Sequence, residues 1–185
     1  MLLLPPTDND ANYELKKVPM TTKEEVIAAI EASDARVQAL APTLLAHGQA
    51  RLPDSDWDVR QALCHVAARA NAVSLSTGLA QRMLAARAKG QPLDLRAARA
   101  GDINQAQLDE RQDRSVADLL AEIQAGHQAA LEAVRALPPD QFDLSFPRFT
   151  GEGEMTVGEM ILRAGSGHEN DHLNHIERAV HDAAP

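Results

Sequence analysis

Three of the seven histidines lie close together near the end of the chain, at His168, His172 and His175. On a helix, His168 and His172 would share one face, with their Cβ atoms about 5–6 Å apart. Two imidazoles at this spacing can bind one divalent ion. The alternative is a pair of solvated or hydrogen-bonded imidazoles. His175 is an alternative ligand or a supporting group, and Asp171 is a candidate for orienting an imidazole N–H.

A fourth histidine, His65, lies in the almost wholly apolar stretch 62–67. This surrounding predicts that its ring is at least partly buried, where it needs a hydrogen-bond partner or a metal. A hydrogen-bonded core histidine is the simpler interpretation. A metal is favoured if the helices carrying His65 and His168 bring their histidines to one interior. The remaining histidines, His47, His127 and His181, have no comparable neighbours and are treated as ordinary.

Residues 168–172 also match H-E-x-x-H, the pattern of zinc hydrolases in which the glutamate, here Glu169, is the general base. The H-x-x-G-x-x-H extension of many such enzymes is absent, and no strand-rich substrate platform is evident upstream. A zinc hydrolase is therefore the third functional hypothesis. It predicts that Glu169 is essential, whereas a three-histidine site places Glu169 well around the helix from the two ligands.

Four helices are predicted to carry these residues, over about 21–47, 58–90, 115–137 and 156–181. Each begins at a polar residue with a partner three positions later, which is the spacing of a helix cap. Pro42 is expected to kink the first helix or end it early. The polar stretch 91–114 is expected to form a long connector with short helical pieces, and connectors of this length are often functional.

Composition agrees with an all-helical domain. Hydrophobic residues make up 44% of the 185 residues and aromatic residues only 3%. A core of alanine and leucine favours helices, because sheets prefer β-branched and aromatic side chains. The length fits one domain. We place it at residues 20–182, preceded by an N-terminal tail or strap at 1–19, where no periodic apolar pattern occurs.

The net charge of −9 predicts that nucleic acid is not a partner, because phosphate binding needs a basic face. Cys64 is the only cysteine, so no intrachain disulfide forms and nothing indicates an oxidising compartment. No stretch has the length of a membrane span or the pattern of a signal peptide. A cytoplasmic protein without a membrane partner is the expectation.

Three segments of the sequence resemble a known family. Residues 57–60 and 63–65 read Trp-Asp-Val-Arg and Leu-Cys-His, and 168–176 contain an H-x-x-x-H pair. Both resemble the DinB-like superfamily, which includes the N-terminal domain of mycothiol-dependent maleylpyruvate isomerases. Residues 101–105, followed by Glu110 and Arg111, resemble the stretch before the third helix of these proteins. The resemblance covers about residues 20–180.

The resemblance implies an up-down-down-up four-helix bundle that binds one divalent metal through His65, His168 and His172. The metal would be zinc or nickel, although imidazole also suits copper and iron. It further implies a metal-dependent thiol transferase, or a related enzyme, that joins a low-molecular-weight thiol cosubstrate to a small-molecule electrophile. Asn104, Arg111 and Phe149 are candidate contacts to the thiol or the substrate.

The main alternative is a non-catalytic, metal-binding or stress-associated bundle of unassigned activity, with a homodimer as its candidate assembly. In that case the metal only joins the second helix to the fourth. The three phenylalanines of the segment 140–155 also allow two interpretations, since they either line a pocket or plug the end of the bundle.

The domain boundary generates a first prediction. Because residues 1–19 lack a helical pattern and precede a strong helix cap, their deletion should leave the bundle folded. Thermal unfolding followed by circular dichroism should show little change in Tm. A loss of several degrees would show instead that the strap packs on the core and that Leu2–Leu4 are buried.

Overall fold

The computed structural model describes residues 21–53, 55–70, 100–147 and 153–183, together with the single positions 85 and 89. These residues are mostly helical, which confirms the all-α prediction at that level. The predicted tail at 1–19, most of the second half of the predicted second helix and Phe149 lie outside the described residues.

The described residues form helices of very different lengths. They are α1 (Lys23–Ala46), α2 (Val59–Ala70), α3 (Ala100–Asp109), α4 (Val116–Ala136), α5 (Pro139–Phe142), α6 (Val157–Leu162) and α7 (His168–Ala183). A π-helical segment, Arg163–Gly167, joins α6 to α7. Two short antiparallel strands, β1 (Ser145–Pro147) and β2 (Glu154–Thr156), pair ahead of α6. The elements thus outnumber the four predicted helices.

The four helix starts that the cap residues predict lie where they were expected. In each case a side chain accepts a hydrogen bond from the backbone three residues later, and that residue's side chain accepts one in return. Both bonds satisfy N–H groups that have no partner within the helix. The reciprocal pairs are Thr22 with Glu25, Asp58 with Gln61, Ser115 with Asp118, and Thr156 with Glu159.

Two helices bear on the predicted bounds. Of the two outcomes expected at Pro42, a kink or an early end, the early end does not occur, because α1 continues through the proline. The buried side chains Val37 and Leu44, on either side of the proline, keep that face of α1 packed on the core. The predicted last helix is interrupted, because Gly165 has the non-helical dihedrals φ −91° and ψ −110°. As a result α7 begins at His168.

Four long helices form the framework of the core. α1 and α2 both pack against α4, and α7 packs against α1 and α2. The core has two parts. One surrounds α2 and contains Leu63, Val66, Leu119, Ile123, Leu173 and Ile176; the other lies around α6 and contains Val26, Ile30, Val134, Phe142 and Ile161. None of the helices among these residues is long and apolar enough to cross a membrane.

Phe142 belongs to the second part of the core and is only 3% exposed. Its ring lies against Gly158, where an added Cβ atom would overlap the ring. Close packing of this kind favours the plug over the pocket wall for this phenylalanine.

Candidate metal centre

Three imidazoles from two helices meet at one point. His65 lies in the middle of α2 and is 1% exposed, while His168 and His172 occupy the first turns of α7 and are partly exposed. His65 faces inward because it belongs to the buried face of α2, together with Val66 and Ala62. The four-residue spacing puts both histidines of α7 on the side that faces α2.

The Nε2 atoms of the three rings converge. Nε2 of His168 lies 3.0 Å from Nε2 of His65 and 3.2 Å from Nε2 of His172. Ligand nitrogens around a tetrahedral zinc ion, with bonds of about 2.0–2.1 Å, lie about 3.3 Å apart. The three side chains therefore fit one divalent ion. Within the part of the chain that the structure describes, they form the only such group of potential ligands.

The electrostatics keep these rings neutral. Burial, reinforced by His168 and Arg69 and opposed by the hydrogen bond to Gln107, lowers the pKa of His65 to about 4. Burial and the other histidines likewise lower the pKa of His172 to about 4, and burial and Arg69 lower the pKa of His168. Only a neutral imidazole has a lone pair for a metal. The cluster can therefore accept a cation at neutral pH without first losing protons.

Trp57 covers part of the cluster. Its ring centroid lies 5.6 Å from that of His65 and 6.3 Å from that of His172, to which it is nearly parallel. Trp57 is the only tryptophan in the sequence. Its fluorescence therefore reports on this site alone.

The sequence analysis missed Gln107, which contacts the cluster. The side-chain oxygen of Gln107, on α3, lies 2.7 Å from Nδ1 of His65. A weak signal was present, because Gln107 lies one helical turn after Asn104 in the segment that resembles the family. Short helical pieces were expected in the connector 91–114, but no pattern marked the helix Ala100–Asp109 or the face that carries Gln107.

The structure places the other candidate residues around the cluster but not in it. His175 is partly exposed and Asp171 is exposed, and neither joins the three converging nitrogens. Asn104 is partly exposed on α3. Arg111 donates twice to Glu122 at 2.7 and 2.9 Å and pairs with Glu110. Contacts of Asn104, Arg111 or Phe149 with a substrate remain predictions.

A second buried cluster lies behind the first. His127, which the sequence analysis treated as ordinary, is 1% exposed and lies between two carboxylates. Its Nε2 is 2.9 Å from Glu169 and its Nδ1 is 3.1 Å from Asp34. The apolar stripe of α4 runs through Ile123, His127 and Val134, so burial of His127 could have been inferred. Its partners, Glu169 and Asp34, could not have been inferred from the sequence.

Glu169 therefore faces away from the candidate metal. One of its carboxylate oxygens is bonded to His127, and the other, Oε1, is buried without a hydrogen-bond partner among the described residues. Arg69 Nε is buried and unpartnered in the same way, and both residues line one small cavity, with about 10 Å³ for the centre of a water molecule. About one water fits there. This position disfavours Glu169 as the general base of a zinc hydrolase.

The sequence matches the family model of the DinB superfamily over residues 77–176, which is more than half of the chain. The chain belongs to the DinB superfamily. His168 and His172 fall inside the matched segment, whereas His65 lies before it. None of the curated proteins matches this sequence.

Solved structures share the fold. A protein from Escherichia coli UTI89 is 17% identical, covers 88% of this chain and 95% of its own, and has a TM-score of 0.62. A protein from Clostridium difficile 630 is 13% identical, with coverages of 85% and 94% and a TM-score of 0.59. The colibactin self-resistance protein ClbS, in complex with a dsDNA, is 15% identical, with coverages of 88% and 96% and a TM-score of 0.61. Identities this low establish the fold alone.

The comparison with ClbS corrects one prediction. The net charge predicts that nucleic acid is not a partner. This prediction is wrong, because a protein with this fold forms a complex with double-stranded DNA. The physical reason is that net charge averages over the whole chain. Binding to phosphates depends on how charge is distributed over one surface.

The buried pairing of His127 generates a prediction about stability. Burial opposes protonation of His127, but hydrogen bonds to and charges of Glu169 and Asp34 outweigh it and raise the pKa above 6.5. Replacing His127 by Gln should destabilise the fold by about 3–5 kcal/mol near neutral pH, because the buried carboxylate of Glu169 and the partly buried carboxylate of Asp34 lose their cation.

The pH dependence tests the cause. Because the pKa of His127 is raised in the folded protein, its ion pairs contribute their full stability below the pKa that His127 has in the unfolded chain. This contribution is lost as the pH rises through the pKa that His127 has in the folded protein. The difference in Tm between wild type and His127→Gln should therefore be largest below the ordinary histidine pKa of about 6.5 and shrink as the pH rises above it. His181→Gln, whose side chain is 89% exposed, should match wild type throughout. A difference that stays constant with pH would contradict the ion pair.

Proposed function

We propose that this protein is a divalent-metal-dependent thiol transferase of the DinB superfamily, with His65, His168 and His172 as the metal ligands. The observation that supports this most strongly is the convergence of their three Nε2 atoms, with separations of 3.0 and 3.2 Å about His168. Catalytic zinc sites typically have three protein ligands and one open position, whereas closed structural sites use four protein ligands. Three imidazoles therefore match the catalytic type. In this proposal α1, α2, α4 and α7 belong to an up-down-down-up bundle.

The chemistry asked of the metal, zinc or nickel in this proposal, is to lower the pKa of a bound thiol, since the thiolate is the nucleophile. The chain's own residues do the rest. Three neutral rings, one fully buried and two partly exposed, hold the cation. Trp57 packs against two of them and limits the access of water on that side. The electrophile would bind on the exposed side of His168 and His172. Because cytoplasmic thiols are kept reduced, we place the activity there.

A non-catalytic bundle is the alternative. It is supported by the origin of the ligands, because a metal held by His65 and by the two histidines of α7 would cross-link helices that already pack together. Both hypotheses require the same ligands. They differ in whether the metal-loaded protein turns over a thiol.

The ligand assignment predicts metal content. Replacing His65, His168 or His172 by Ala should each remove most of the bound metal, because two imidazoles hold a divalent ion much more weakly than three. Elemental analysis of dialysed protein measures this. His181→Ala is the matched control, since that side chain is largely exposed; His127→Ala is unsuitable because His127 is bonded to Glu169. Equal metal content in all variants would refute the assignment.

Turnover is tested with a panel of low-molecular-weight thiols and chlorodinitrobenzene as the electrophile. The thiol sulfur forms a bond to the ring carbon, chloride leaves, and the thiol proton passes to solvent. At least one thiol should be consumed faster by the metal-loaded wild type than by His172→Ala. If wild type and variant give the same rates with every thiol, the non-catalytic bundle is the better account.

A further inference from the structure

We propose that Gln107 is a positioning residue for His65, and that its amide oxygen fixes the tautomer and the ring orientation that His65 needs as a metal ligand. This inference rests on the proposed metal site. The contact that carries it is the 2.7 Å separation between Gln107 Oε1 and His65 Nδ1, on the ring edge opposite the cluster.

The chemistry follows from the two nitrogens of an imidazole. In a neutral ring one nitrogen carries hydrogen and only the other can bind a metal. An acceptor at Nδ1 holds the hydrogen there and leaves the lone pair on Nε2, which is the atom 3.0 Å from His168 Nε2. Loss of such a supporting hydrogen bond commonly weakens metal binding 10- to 100-fold.

Gln107 is itself held in place by contacts that do not involve the histidines. The adjacent Leu108 is 8% exposed and belongs to the core around α2. Arg111 donates to the backbone oxygen of Gln107 at 3.4 Å and is tied to Glu122 on α4. The amide therefore presents a fixed acceptor to His65, because its segment is anchored independently.

Further bonds join the end of this segment to α2. Arg60 donates to the backbone oxygen of Gln112 at 3.0 Å, and the thiol of Cys64 lies 3.7 Å from the backbone oxygen of Arg111. Both residues precede His65 by less than two helical turns. The turn after α3 and the face of α2 that carries His65 thus keep a fixed relation.

The three histidines are not equivalent in this respect. Among the hydrogen bonds of the described residues, His65 is the only one of the three with a partner at Nδ1. It is also the only one that is fully buried. Gln107 should therefore act through His65 specifically, and its effect should disappear when His65 is absent.

Coupling between the metal and α3 follows by linkage. If docking of Gln107 tightens metal binding, metal binding must stabilise the docked position of α3 by the same free energy. Amides of 104–110 should then exchange hydrogen more slowly in the presence of metal. At saturating metal this slowing should be smaller in Gln107→Met than in wild type, whereas slowing that comes from metal stabilising the whole fold would be the same in both proteins.

The experiment is a titration of the full chain with Co²⁺, followed by the fluorescence of Trp57 and by competition with a chelator. Gln107→Met keeps the size and helix propensity but removes the acceptor, and it should raise the Kd by about 10- to 100-fold. Gln107→Glu keeps an acceptor and should bind at least as tightly as wild type. Gln105→Met is the matched control, because Gln105 is exposed on the same helix and its side-chain amide donates to Asp109.

A double-mutant comparison tests whether Gln107 affects metal binding through His65. In the His65→Ala background, Gln107→Met should cause no further loss of Co²⁺ affinity. An equal loss in both backgrounds, or an unchanged Kd for Gln107→Met in otherwise wild-type protein, would overturn the inference while leaving the metal site standing. Failure of wild type to bind Co²⁺, Zn²⁺ or Ni²⁺ would instead refute the proposed function, and this inference with it.

Discussion

The rest of the structure depends on the pairing of buried His127 with Asp34 and Glu169. These side chains come from α1, α4 and α7, and each would lose several kcal/mol on leaving water without a partner. The distances of 2.9 and 3.1 Å satisfy both ring nitrogens at once. A small rotation of α7 would bury Glu169 unpaired, so this interaction fixes how α7 faces the other helices.

The orientation of α7 about its own axis also determines where the candidate ligands point. Successive residues of a helix are about 100° apart, so when Glu169 faces His127, the preceding His168 and the following His172 face α2. The break at Gly165 lets α7 begin at His168 with its own direction. Arg69, one turn after His65, donates to the backbone oxygen of Ala164 at 3.0 Å and joins α2 to this break. One polar cluster thus positions the other.

Features set by neighbours in sequence were predictable, and features set by distant partners were not. Helix caps such as Ser115 with Asp118, the spacing of His168 and His172, and the burial of His65 all follow from local patterns. The partners of His127 lie 93 and 42 residues away in sequence, and Gln107 lies 42 residues from His65. No periodicity encodes such pairs. The break at Gly165 was missed because a single glycine is tolerated within a helical pattern.

Membership of the DinB superfamily fixes the scaffold but leaves the chemistry to individual side chains. At 13–17% identity the solved structures share the fold alone, and one of them is in complex with dsDNA, so function has to be argued from the site. His65 lies before the segment that matches the family model, and the other two candidate ligands lie within it. The three histidines therefore meet only because α2 and α7 pack together. Binding of a metal to them would depend on the same tertiary contacts that stabilise the fold.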